Sequence, residues 1–131
     1  MDLNEIRAEL TRLHAQAGQL LSEALHMKPS LKLLLLRKPL SDLEGRLDAQ
    51  LKEFVALDAD LIQHTNPPVD YNTAVRGAAQ FSFYVAVRDS VRGLLTDASG
   101  ALGSLRSRLD ILGSVVLSLL ALLVAIIALF V

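Results

Sequence analysis

The sequence contains no cysteine and no tryptophan, and only 5% of its 131 residues are aromatic. Without cysteine the chain forms no disulfide, holds no metal through a thiolate and has no cysteine nucleophile. Leucine alone occupies 29 positions, whereas strands favour β-branched and aromatic residues. This composition and length predict an all-α fold in one modest domain.

The chain also lacks an excess of charge of either sign, with 13 basic and 14 acidic residues. A global basic field for nucleic acid is therefore absent, and we expect no nucleic-acid partner. Phosphate-binding glycine loops, nucleophile elbows and zinc-protease motifs do not occur in the sequence. We therefore expect no enzyme activity, no catalytic residue, no cofactor and no small-molecule substrate.

One pair of residues has a spacing that metal sites use. Glu23 and His26 form the Glu-x-x-His motif of di-iron helical proteins, which need a second such motif and two further glutamates. His64 has no glutamate three residues before it, so the ligand set is incomplete. We therefore expect no metal site.

Charge is missing altogether from the last 21 residues, which read ILGSVVLSLLALLVAIIALFV from position 111 to 131. As a helix this segment measures about 31 Å, close to the hydrocarbon thickness of a bilayer. Arg106 and Arg108 precede it and no residue follows it. The positive-inside rule predicts a single-pass, tail-anchored membrane protein whose N-terminal region is cytoplasmic.

Small residues form a stripe within this predicted anchor. They recur at spacings of four, three, four and three residues, which places them on one side of a helix. Small side chains allow close helix approach in lipid, although serine and alanine are also ordinary fillers there. The predicted transmembrane packing stripe consists of Ser114, Ser118, Ala121, Ala125 and Ala128.

Three helical stretches precede the anchor. Asp2 and Glu5 have the spacing of a capping box and start a helix over about 2–27, which ends before Pro29. Ser41 and Glu44 predict the start of a second helix over about 41–64. Because a short linker joins them, the two helices are expected to form a hairpin within residues 1–72.

An amphipathic stem over residues 73–110 is predicted to lead into the anchor. Gly93, Gly100 and Gly103 weaken it, so a hinge near 99–103 is one possibility. Alternating Phe81, Phe83, Val85 and Val87 would also fit a strand, but no partner strand is evident. Apolar residues at heptad spacing on the first helix and the stem predict a helix-docking seam. Its members are Leu10, Leu13, Leu20, Val91, Leu95, Leu102 and Leu105.

The connector over residues 28–40 combines leucines with positive charge. Five leucines occur between positions 31 and 36. Such a segment suits a membrane interface, a partner groove or a plug at the end of the helices. We predict that the basic residues here and before the anchor face the membrane surface, namely Lys28, Lys32, Arg37, Lys38, Arg106 and Arg108.

Charge also divides between the helices, because residues 42–60 hold six acids and residues 76–108 hold five arginines. Antiparallel packing of these segments would bring opposite charges together. Arg88 is the one charged seam residue. It could remain solvated at the edge, pair with Asp58 or Glu53, or set the register of a coil.

These patterns together predict a helical hairpin or three-helix coiled-coil-like bundle that continues into one transmembrane helix. The expected function is that of a structural or interaction protein that assembles helical partners or copies of itself at the membrane through exposed heptad seams. The alternative is an oligomeric effector that permeabilises the membrane as a pore. Membrane lipid is an expected partner in both cases.

Overall fold

The computed structural model describes the backbone of residues 2–63 and 71–131 and the side chains of residues 2–62 and 82–131. Within these residues the chain forms helices and no strand. The helices are α1 (Leu3–His26), α2 (Leu31–Leu35), α3 (Lys38–Gln63) and α4 (Tyr71–Phe130). Residues 64–70, which include the end of the second predicted helix, and the side chains of the predicted stem residues 73–81 lie outside the described residues.

Helix α1 begins and ends where its sequence signals predict. The Asp2 carboxylate accepts a hydrogen bond from the Glu5 backbone N–H, at 2.8 Å, and the Glu5 carboxylate accepts one from the Asp2 N–H. This capping box satisfies two amides that the first turn leaves free. At the other end Met27 is extended, directly before Lys28, which Pro29 keeps out of the helical conformation.

Helix α3 begins three residues earlier than the Ser41 and Glu44 spacing predicts. The Ser41 N–H donates to the Arg37 carbonyl oxygen at 2.9 Å, so Ser41 lies inside the helix and does not cap it. Pro39 is tolerated because it lies in the first turn, where backbone N–H groups have no intrahelical partner. The connector is thus shorter than predicted, and part of it is the separate helix α2.

Polar contacts between side chains fix the directions of the long helices. Arg7 lies over the Phe83 ring, and His14 hydrogen-bonds with Ser90. The second contact lies seven residues after the first on both helices, so α1 and α4 run parallel. Arg88 pairs with Asp58 and Arg106 with Glu44, which shows that α3 runs antiparallel to α4.

One hydrophobic core is shared by α1, α2, α3 and α4. It extends along α4 only as far as Leu109. The buried residues contributed by α1 repeat at three and four positions, which is the period that places side chains on one helical face. The fully buried side chains with the largest volume are Ile6, Leu10, Leu13, Leu20, Leu40, Leu61, Val91, Leu95 and Leu109.

Helix α4 is continuous through both places where the sequence allows an interruption. It spans 60 residues, about 90 Å. The possible hinge at 99–103 is helical, because Gly100 and Gly103 are flanked by Ala98, Leu102 and Leu105, which are buried in the core. The alternating residues 81–87 are also helical, which excludes the strand alternative.

Candidate functional site

The candidate site is the part of α4 that extends beyond the core. From Ile111 onwards no residue is fully buried and all are exposed except Leu112, Gly113 and Val116, although the segment carries no charge. Its most apolar window has a mean hydropathy of 2.9, and no part of that window is buried. By length and composition this is one helix, within the described residues, that could cross a membrane.

The predicted packing stripe lies on the exposed part of α4. Ser118 follows the buried Leu109 by about two and a half helical turns, so the stripe is on the side of α4 opposite to Leu109. The Ser118 hydroxyl donates to the Ser114 carbonyl oxygen at 2.9 Å. This bond satisfies the hydroxyl within its own helix, so Ser118 has a partner even where no water is present.

The predicted basic residues divide into paired and solvated groups. Arg37 forms an ion pair with Asp110 at 3.6 Å, and Arg106 forms one with Glu44 at 3.3 Å. Both pairs lie where the core ends and the exposed apolar segment begins. The other members are exposed on the surface, namely Lys28, Lys32, Lys38 and Arg108.

An open groove lies beside the Arg37–Asp110 pair. Its walls include Gly113, Ser114 and Ala121. The groove therefore joins the charged boundary to the beginning of the small-residue stripe. In this groove a predicted basic residue, Arg37, and predicted stripe residues occur together.

The predicted seam residues dock helices of the same chain. Leu10, Leu13 and Leu20 on α1 are fully buried. On α4, Val91, Leu95, Leu102 and Leu105 are buried as well. Among the described residues these seams are therefore not exposed as expected, because α1, α3 and α4 cover one another at these positions.

Of the alternatives that the sequence leaves open for Arg88, the structure shows the ion pair with Asp58. Its side chain and that of Asp58 are each about 20% exposed, and their atoms Nη1 and Oδ1 lie 3.1 Å apart. Hydrogen bonds to Asp89 and then to Asp58 raise the pKa of Arg88, while burial acts in the opposite direction. Arg92 approaches the same Asp58 at 3.8 Å. The pairing of acidic α3 with arginines of α4 follows the charge distribution of the sequence.

The Glu23 and His26 pair takes part in other contacts. Glu23 forms an ion pair with Arg46 at 2.5 Å. The His26 Nδ1 atom is 2.7 Å from the Ser22 carbonyl oxygen, to which it donates. In the part of the chain that the structure describes, no three acidic or histidine side chains are grouped to hold a metal ion.

The contact between α2 and α4 could not be derived from sequence patterns. Leu33 is buried in the core, and a Cβ atom at Gly113 would lie 3.3 Å from the Leu34 Cδ1 atom. A contact made by single leucines of a short helix leaves no periodic pattern in the sequence. The glycine at the start of the apolar run is the one sequence feature that marks the close approach.

No known protein family matches this chain, and no curated protein or solved structure resembles it significantly. The class that the fold and the site define is therefore a structural one: an all-helical protein with one long apolar C-terminal helix.

Proposed function

We propose that this chain is a membrane-anchored structural protein that assembles copies of itself at the bilayer. The observation that carries the proposal is the contrast along α4, whose seam is buried up to Leu109 and whose residues from Ile111 are exposed and uncharged. Exposed apolar surface of this extent is costly in water. Lipid removes that cost, and the α-helix satisfies its own backbone hydrogen bonds there.

The proposed orientation places the ion-paired helices on the cytoplasmic side. Arg106 and Arg108 immediately precede the apolar segment, and Arg37 and Lys38 lie near the same level because Arg37 pairs with Asp110. Basic residues next to a span favour the cytoplasmic side. The anionic surface of that leaflet attracts them further.

The proposed assembly surface is the small-residue stripe of the span. With the seams buried inside the chain, the stripe remains as a face suited to another helix. It lies opposite to Leu109, so a second copy can approach it without displacing α1 or α3. Close backbone contact across small residues then replaces the hydrophobic drive that is absent between helices in lipid.

Extraction with alkaline carbonate tests the membrane anchor. The full chain is expected to stay with the membrane pellet at about pH 11, and a chain ending at Asp110 is expected to be released. The Arg88 pairs remain charged under these conditions, because their hydrogen bonds raise an arginine pKa that is already high. Release of the full chain as a dispersed monomer would contradict the proposal.

Single cysteines test the assembly surface, since the natural chain has none. Oxidation of the Ser118→Cys variant in membranes is expected to give a disulfide-linked dimer. The matched Leu120→Cys variant places its thiol at similar depth about 200° around the helix and is expected to remain monomeric. Adding Ala121→Leu and Ala125→Leu to Ser118→Cys is expected to reduce the dimer. Equal crosslinking at positions 118 and 120 would contradict a specific stripe.

A dye-retention experiment distinguishes the proposed function from the permeabilising alternative. A conducting pore needs a polar lining, and residues 111–131 offer only Ser114 and Ser118. Vesicles that contain the full chain are therefore expected to retain an entrapped dye. Dye release that depends on residues 111–131 would favour the pore.

A further inference from the structure

Helix α2 exposes leucines at the end of the helical core. The Ser30 hydroxyl caps its start by accepting a hydrogen bond from the Leu33 N–H at 3.1 Å. Leu33 is buried, and this fixes the orientation of the short helix. The exposed leucines here, which we name the α2 leucine surface, are Leu31 and Leu35 of α2 and Leu36 directly after it; these residues are 57%, 82% and 60% exposed.

Two contacts set the level of the α2 leucine surface along α4. Arg37, just after α2, pairs with Asp110 at 3.6 Å. Leu34 packs at the position where Gly113 lacks a side chain. Asp110 is the last charged residue before the apolar segment. The α2 leucine surface is therefore beside the start of the proposed span, at the depth where water gives way to lipid.

The charges that residues 28–40 contribute beside this surface are all positive. Residues 28–40 contain Lys28, Lys32, Arg37 and Lys38 and no acid. The three lysines are exposed. Exposed leucines flanked by lysines are typical of segments that lie in the interface of an anionic bilayer.

We propose that the α2 leucine surface inserts into the headgroup region of an anionic bilayer and is a second membrane contact of this chain. The inference rests on the proposed anchoring by α4, which brings α2 to the bilayer. Because α2 has five residues, about 7.5 Å in length, it lies in the interface and does not cross. With α4 it fixes the tilt and rotation of the ion-paired helices relative to the membrane, since two contacts restrain a body that one contact leaves free to pivot.

A fluorescent label at position 35 tests the insertion. The Leu35→Cys variant of the full chain is labelled with an environment-sensitive dye and reconstituted into vesicles of phosphatidylglycerol and phosphatidylcholine. The matched control is Val55→Cys, which replaces another exposed apolar residue, 64% exposed. Val55 lies near the Arg88–Asp58 pair, about 38 Å along α4 from Gly113.

The dye at position 35 is expected to emit at shorter wavelength than the dye at position 55. Nitroxide on the lipid headgroup region should quench position 35 more strongly, and aqueous iodide should quench position 55 more strongly. Pure phosphatidylcholine vesicles, or Lys32→Glu with Lys38→Glu, should reduce the difference between the positions.

Three results would overturn the inference. Equal, water-like emission at both positions in a chain that still sediments with vesicles would show that α2 stays in water while the anchor holds. A short-wavelength emission without nitroxide quenching would show that protein, such as a second copy, covers the leucines. An unchanged signal in neutral vesicles would remove the anionic preference. Failure of the full chain to sediment at all would instead overturn the proposed function.

Discussion

Arg88 and Asp58 form the interhelical ion pair with the least exposed side chains in the part of the chain that the structure describes. Replacing Asp58 by Asn leaves a poorly solvated guanidinium with Asp89 as its remaining close carboxylate. Because the pair is partly exposed, we expect a loss of about 1 to 2 kcal/mol in the free energy of unfolding. Urea titration in detergent, monitored by circular dichroism, measures this loss. The matched Asp48→Asn variant removes a solvated pair with Lys52 and should have little effect.

The pH dependence of this pair follows from the raised pKa of Arg88. A group whose pKa is higher in the folded state contributes stability that is fully present below its unfolded pKa and is lost as the pH rises through the folded one. For arginine the pKa of the unfolded state is already far above neutral pH, and that of the folded state is higher still. The stability difference between wild type and Asp58→Asn should therefore be equal at about pH 8 and pH 11. A difference that disappears at the higher pH would show that the pair contributes through another group.

Among the described residues, Gln50 is a buried polar residue whose side-chain oxygen has no hydrogen-bond partner. A buried acceptor without a partner costs free energy that an apolar side chain of similar size does not. Gln50→Leu is expected to raise the free energy of unfolding by about 1 kcal/mol. Gln19→Leu, at an exposed position of the same interhelical groove, is the control and should not stabilise. Destabilisation by Gln50→Leu would indicate that the amide sets the helix register.

At the scale of elements, the glycines of α4 differ in their surroundings. A Cβ atom at Gly103 would meet no other atom within 4 Å, whereas at Gly113 it would lie 3.3 Å from Leu34. Alanine in an open helical position is more stable than glycine by about 1 kcal/mol. Gly103→Ala should therefore raise the thermal midpoint of unfolding, and Gly113→Ala should raise it less or lower it. An equal gain at both positions would contradict the close packing of α2 on α4.

The elements that were predictable from the sequence are those with a periodic or local signal. The capping box at Asp2 and the three-and-four spacing of Leu10, Leu13 and Leu20 depend on neighbours along one helix, and both appear as expected. The start of α3 differs from the prediction, because Pro39 is compatible with a first helical turn and so does not mark a boundary.

The candidate site was predictable in its residues and less so in its surroundings. The uncharged run from Ile111 is visible in the sequence, as is the spacing of the stripe. The burial of the seams within one chain was not predictable, because a heptad pattern is the same whether the facing helix belongs to the same chain or to another. The contact of Leu34 with Gly113 depends on the fold and has no local signal.

At the scale of the whole molecule, α4 has two parts, one packed in the core and one exposed, which meet near Asp110. Residues up to Leu109 bury their seam against α1 and α3, and the residues beyond it have no such contact except around Gly113. The described protein therefore divides into a part whose helices bury a common core and an exposed, uncharged helix for which we propose a lipid environment.

This division predicts that a chain of residues 1–110 folds without detergent. It retains every buried core residue of the described chain, so we expect a helical monomer with one cooperative unfolding transition, measured by circular dichroism and light scattering. A chain of residues 1–101 is the control. It lacks Leu102, Leu105 and Leu109, and the loss of each buried leucine costs about 2 to 5 kcal/mol, so this shorter chain should not fold cooperatively. If residues 1–110 aggregate or unfold while the full chain is stable in detergent, the core depends on the apolar segment and the molecule is a single membrane-dependent unit.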